Sequence, residues 1–96
     1  MLVIVTYDVC VTSPGGSARL RKVAKTCLNY GIRAQKSVFE CNVSPQDWEF
    51  LKDELLNLYN PEEDSLRFYF LGSNWKRRVE HHGLKPLFEH DEPMII

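Results

Sequence analysis

No apolar run in this 96-residue sequence approaches the ~20 residues that a membrane-spanning helix needs, so no bilayer crossing is expected. The N-terminus lacks the basic region and small-residue cleavage site of a signal peptide, and its apolar run reads as a strand. A cytoplasmic chain is the expectation. Cysteine is scarce. Cys10, Cys27 and Cys41 are odd in number, widely spaced and without a C-x-x-C pair, which argues against both a disulfide framework and a structural zinc site. Cys27 and Cys41 fall at apolar-periodic positions and read as small buried hydrophobes. Acidic residues are missing altogether from Val9 to Phe39, a stretch that holds Arg19, Arg21, Lys22, Lys25, Arg33 and Lys36.

The acids that are present come later. From Glu40 to Asp64 there are eight, against Lys52 alone. The formal net charge is only −1, so the basic first half implies a localised anion-binding face, the plainer alternative being a solvated helix face. A hydrophobic fraction of 44% and a charged fraction of 26% describe a globular chain. The length suits one domain over residues 1–96, with a core over about 1–72 and a tail over about 73–96.

The run Leu2-Val3-Ile4-Val5-Thr6-Tyr7-Asp8 ends in a lone carboxylate before a Pro/Gly turn. By alternation Asp8 shares a sheet face with Leu2, Ile4 and Thr6. A carboxylate at the end of a covered strand face must be solvated, hydrogen-bonded or bound to a cation. Asp8 is therefore the first candidate for chemistry, as a metal ligand or as a strand-terminal acid tethering the turn. Helix one is expected to start at Ser17 as N-cap. Its core stripe is Leu20, Val23, Ala24, Cys27 and Leu28, and Gly31 is expected to end it in the left-handed region. Arg33 to Val43 reads as two short strands or one kinked strand around Lys36-Ser37. Ser44-Pro45 starts a second helix, with Trp48, Leu51, Leu55, Leu58 and Tyr59 inward and Phe50 core or near-core. Ser65 to Leu71 alternates as a strand. One more short strand is expected near Lys76–Val79 or Pro86–Phe88.

Strand–helix–strand–strand–helix–strand is the ferredoxin-like βαββαβ plan, an α+β sandwich with an antiparallel sheet. Right-handed crossovers put both helices on one face. The other face carries Leu2, Ile4 and Leu71, with Tyr69 beside them, and predicts a homodimer whose sheets pack face to face.

Three segments resemble the signatures of one family. Val5-Thr6-Tyr7-Asp8 is similar to its first-strand Y-D signature. Tyr30-Gly31-Ile32-Arg33-Ala34-Gln35-Lys36-Ser37-Val38-Phe39-Glu40-Cys41 is similar to its central Y-G-x-R-x-Q-x-S-V-F-E signature. Asp64-Ser65-Leu66-Arg67-Phe68-Tyr69 is similar to its last core strand. The family is the small CRISPR-associated adaptation protein Cas-two, and the resemblance runs from Leu2 to about Leu71, more loosely beyond. It implies a ferredoxin-like homodimer that binds prespacer duplex DNA and bridges dimers of the Cas-one integrase. It also implies Mg²⁺-dependent endonuclease activity on RNA or DNA. On this resemblance Asp8 is the metal-binding and catalytic carboxylate. Arg19, Arg21 and Arg33 are the family's basic positions, and Tyr7, Ser37 and Phe39 its motif residues.

Arg21 and Lys25 are i, i+4 neighbours, and helix one offers Arg19, Arg21, Lys22 and Lys25 no acid to pair with. Phosphates are the expected partners, with Arg33 and Lys36 beyond them. Lys76-Arg77-Arg78 either extends that path through Arg77 and Arg78 or is a solvated turn. His81, His82 and His90 lack Cys or Glu at ligand spacing, so zinc is not expected. The apolar end Met94-Ile95-Ile96 is expected to dock on a partner, as an added strand or on the integrase. Two other readings stay open: a stand-alone metal-dependent ribonuclease acting on single-stranded RNA, and an RNA-binding module of the RRM type.

Overall fold

The apolar run at the start of the chain becomes an interior strand. The computed structural model describes residues 1–84. β1 (Leu2–Asp8) is followed by α1 (Gly16–Leu28), β2 (Gly31–Gln35), β3 (Val38–Asn42), α2 (Pro45–Leu58) and β4 (Ser65–Gly72), then a 3₁₀ turn at Trp75–Arg77. The strands lie in the order β2-β3-β1-β4, every neighbouring pair antiparallel. This is the expected ferredoxin-like α+β arrangement, and β2 and β3 are two strands joined at Lys36-Ser37.

Alternation sorts β1 from Val3 onward. Val3, Val5 and Tyr7 are buried, and Phe39 and Cys41 lie opposite Val5 and Val3 on β3. Val23, Ala24 and Cys27 of α1 and Trp48, Leu51 and Leu55 of α2 close the same cluster. Each fully buried side chain of this kind contributes roughly 1.5–3 kcal/mol. Trp48 also meets Phe68 and Phe70 of β4 edge-on, at centroid distances of 4.7 and 5.3 Å. The contact with Cys41 and then burial push the Cys27 thiol up, and the Cys41 Sγ lies 3.8 Å from the Cys27 carbonyl. Both cysteines are core residues, as their spacing implied.

α2 starts as its sequence demands. The Ser44 Oγ accepts from the Asp47 N–H at 3.1 Å and Pro45 takes the first helical position. α1 does not start at a Ser17 cap. Gly15 precedes it with φ 81°, and a Cβ on Gly16 would meet the Cys10 carbonyl oxygen at 2.2 Å. Close approach of the loop, rather than a side-chain cap, fixes this end. Gly31 is not a left-handed cap either. It opens β2, where a Cβ would meet the Glu40 carbonyl oxygen at 2.0 Å and the Cys41 Cα at 2.7 Å. Only glycine lets β2 lie this close to β3.

Further expectations need correction, and Leu28, expected in the core stripe of α1, is 46% exposed at the end of that helix. Lys76–Val79 forms no strand, because the chain turns back in the 3₁₀ turn. Phe50 is 56% exposed, on the solvent side of α2. Leu2, expected on an open face, is fully buried, and Leu71 is bypassed where the β1–β4 register shifts between Leu2 and Val3. Pro86–Phe88, His90 and the apolar C-terminal end lie outside the described residues. No helix among the described residues is long and apolar enough to cross a membrane.

Candidate functional site

Two neighbouring side chains at the end of β1 point in opposite directions and serve different purposes. Tyr7 turns toward the helices. Asp8 turns to the other face and is exposed.

Tyr7 is 1% exposed, and its hydroxyl donates to Asp64 Oδ2 at 2.5 Å. The Asp64 carboxylate is fully buried. It accepts three other hydrogen bonds: Arg19 Nε at 2.9 Å, Arg19 Nη2 at 3.2 Å, and the Asn60 backbone N–H at 2.9 Å. Arg19 Nη2 also reaches Glu63 Oε2 at 3.2 Å, and the Ser13 hydroxyl donates to that same oxygen at 2.9 Å. Burial works against the Asp64 charge, but the bonds from Arg19, Tyr7 and Asn60 prevail and hold its carboxyl below the ordinary range. Burial, followed by the bond to Asp64, pushes the Tyr7 phenol up to about 12. This network ties β1, the loop after it, α1 and the start of β4 into one joint. It fixes the strand end that carries Asp8.

On the far face, Asp8 lies opposite Ser65, and Thr6 lies opposite Val38 on one side and Arg67 on the other. These residues and Ser37 line a shallow crevice of about 350 Å³. The Ser37 carbonyl accepts the Tyr7 N–H at 2.9 Å, so the β2–β3 turn is pinned beside Asp8. The polar groups of the residues lining the crevice are a carboxylate, hydroxyls and the Arg67 guanidinium. Among the described residues no three His, Cys, Asp or Glu side chains gather as a metal cluster. Cys10, close by, is exposed, and the Thr12 hydroxyl 3.4 Å from its Sγ lowers the thiol pKa.

The basic residues do not form one patch. Arg21, Lys22 and Lys25 are exposed on α1, on the helix side of the sheet. Arg19 is placed otherwise than the sequence implied. Its acids are absent from α1 but arrive from the loop before β4, and its side chain is only 17% exposed. The Arg33 guanidinium lies 5.2 Å from the Phe39 ring centroid, and that ring is buried in the core. Lys36 is exposed in the turn next to Ser37. Arg77 and Arg78 follow β4 at the end away from Asp8, and Arg78 Nη1 donates to the Leu71 carbonyl at 3.4 Å. His82 approaches Glu80 at 3.0 Å.

The sequence reading gave no role to Ser13, Glu63, Asp64 or Arg67. The last two belonged to a matched segment. The signal was an acid opening one strand and a tyrosine near the end of another, which only register brings together.

Comparison with known proteins accounts for this arrangement. The sequence profile described as "CRISPR associated protein Cas2" matches residues 1–79. A CRISPR-associated endoribonuclease Cas2 of Chlorobaculum tepidum is 64% identical over 85 residues, 88% of each chain. A CRISPR-associated endonuclease Cas2 of Halalkalibacterium halodurans is 55% identical over the full length of both chains. The crystal structure of Streptococcus pyogenes Cas2 superposes with a TM-score of 0.76 at 52% identity, covering 86% of this chain and 100% of that one. The ferredoxin-like sheet and these similarities agree, and the chain belongs to the CRISPR-associated protein Cas2 family, whose relatives are named as endonucleases.

Proposed function

We propose that this chain is the adaptor subunit of CRISPR adaptation. Two copies pack through their sheet faces, hold a prespacer duplex by its backbone and bridge Cas-one integrase dimers in the cytoplasm. The segment from Ser73 onward serves as the docking tail. The observation that carries this reading is the division of labour on α1. Arg19 is spent on Asp64 and Glu63, while Arg21, Lys22 and Lys25 stand exposed with no ion pair among the described residues. Like charges held together on one face favour a polyanion as partner. Two-fold symmetry gives the dimer two such patches.

The second activity is metal-dependent phosphodiester hydrolysis at Asp8, favoured by the names of the relatives. The crevice fits a hard cation: Asp8, Ser37, Ser65 and Thr6 offer oxygen, and no thiol or imidazole lines it. Mg²⁺ takes one or two carboxylates and keeps several waters. Asp8, with the Asp8 of a second copy across the two-fold, would hold it. When bound, the ion supplies charge neutralisation and an acidified water. Asp8 orients the nucleophilic water. That water adds to phosphorus, one P–O ester bond breaks, one hydrogen stays on the new phosphomonoester, and the other leaves with the departing alcohol. The Tyr7–Asp64–Arg19 joint keeps the carboxylate in place meanwhile.

The test is spacer acquisition in cells, alongside Mg²⁺-dependent cleavage in vitro, for wild type and Asp8→Ala at matched protein levels. Retained acquisition with lost cleavage is expected for an adaptor with a separable nuclease. Absence of acquisition by wild type beside its own integrase would overturn the adaptor reading. Cleavage by Asp8→Ala at the wild-type rate would overturn the nuclease reading.

A further inference from the structure

The crevice around Asp8 contains a cation as well as an anion. β4 pairs with β1 so that Arg67 lies opposite Thr6, two residues along from the Ser65 that faces Asp8. Alternation sends Arg67 to the Asp8 face. Its position is set from its own strand: Arg67 Nη1 donates to the Tyr69 hydroxyl at 2.9 Å, and the guanidinium carbon sits 6.0 Å from that ring centroid. One of five donors is thereby used. Among the described residues no carboxylate forms an ion pair with Arg67. An oriented guanidinium with donors to spare, in a crevice with two serine hydroxyls, matches the planar, bidentate geometry of a phosphodiester.

Asp8 alone repels a phosphodiester, since both are anionic. A site built on that carboxylate needs a second group to hold the substrate. We propose that Arg67 binds the non-bridging oxygens of the phosphodiester presented to Asp8, with the Ser37 and Ser65 hydroxyls as neutral donors. The proposal rests on reading the Asp8 crevice as the hydrolytic site. It separates two contacts with nucleic acid. Arg67 acts on the sheet face at its Asp8 end, on one phosphodiester at a time. Arg21, Lys22 and Lys25 act on the helix side, on duplex backbone as a whole.

The experiment uses full-length wild type, Arg67→Gln, Arg67→Lys and Asp8→Asn. The dinucleotide thymidylyl-thymidine is titrated without Mg²⁺ and followed by backbone amide shifts of Thr6, Ser37 and Ser65. Arg67→Gln should weaken binding about tenfold to a hundredfold, as loss of charge-assisted hydrogen bonds does. Arg67→Lys, which keeps the charge and loses the fork, should fall between it and wild type. Asp8→Asn should bind more tightly than wild type, because the repulsion is gone. Affinity for a long duplex, measured by anisotropy, should change less than about twofold in the Arg67 variants, against the per-contact effect expected on α1. With Mg²⁺ added, kcat/KM for a labelled single-stranded RNA and for a labelled DNA should drop in Arg67→Gln. The arm that drops identifies the source of the phosphodiester.

Equal dinucleotide binding by wild type and a folded Arg67→Gln overturns the proposal. If Arg67→Gln loses its fold, Arg67→Lys decides in the same way, since it keeps the charge. Binding that depends on Arg67 together with no cleavage by wild type keeps the phosphodiester site and removes the hydrolytic reading of Asp8.

Discussion

Tyr7→Phe removes one atom from the joint beneath the site and leaves no cavity. The ring stays in the core beside Val5 and Phe39, and only the donor to Asp64 is lost. Asp64 keeps Arg19 and the Asn60 N–H, so its charge is not orphaned. A hydrogen bond to a charged acceptor is worth about 1.5–3 kcal/mol. In a domain of this size that corresponds to a drop in Tm on the order of 10 °C. Urea unfolding at fixed protein concentration, followed by far-UV circular dichroism, measures it. Its pH dependence has a definite sign. Asp64 is held below the ordinary carboxylate range when folded, so its contribution is present above the unfolded value and is lost as pH falls through the folded one. The stability gap between wild type and Tyr7→Phe should therefore be full at pH 7 and narrow below about pH 4. A difference under about 0.5 kcal/mol at pH 7, or a gap that stays constant to pH 2, would refute the assignment of Tyr7 as an anchor for the Asp64 charge.

The phenol itself predicts an alkaline limit. With its pKa raised from 10.0 to about 12, Tyr7 contributes stability that is complete below pH 10 and lost as pH rises toward 12, on the order of 2–3 kcal/mol. Tyrosinate absorbance should show one phenol titrating late and cooperatively with unfolding. Replacing Arg21, Lys22 and Lys25 with Gln should lower the salt slope of duplex binding by roughly one per lost phosphate contact, read by anisotropy from low to moderate salt. An unchanged slope removes α1 from the DNA path. Gly31→Ala should cost about 1–3 kcal/mol or more, since the new methyl meets backbone on β3 that has no flexible end to move. Wild-type stability in that variant would mean that β2 and β3 are not so close.

The elements that carry local signals were readable before the structure. β1 was bounded by its apolar run and Asp8, and α2 by the Ser44-Pro45 start. The ferredoxin-like plan followed from the element order, because few topologies obey the crossover rule. The failures share a physical origin: they depend on partners far away in sequence. Gly31 resembles a helix cap until β3 is laid against it. Arg19 resembles a phosphate ligand because its acids are 44 and 45 residues distant. A charge count along one helix cannot see them. For the site, Asp8 was legible as an isolated carboxylate on a strand end. Arg67 was not, because its nearness to Asp8 exists only through the β1–β4 register.

The interior position of β1 also bears on how the protein is made. Leu2–Asp8 is synthesised first, yet it needs β3 on one side and β4 on the other. At ~5–20 residues per second, translation delivers the end of β4 roughly 3–13 s after the end of β1. Until then the most hydrophobic strand of the sheet has an unpaired edge, and neighbouring nascent chains compete for it. Sheet closure is a late event in the life of each chain. The speed of that closure, rather than the depth of the final energy well, sets how much protein survives rapid expression in soluble form.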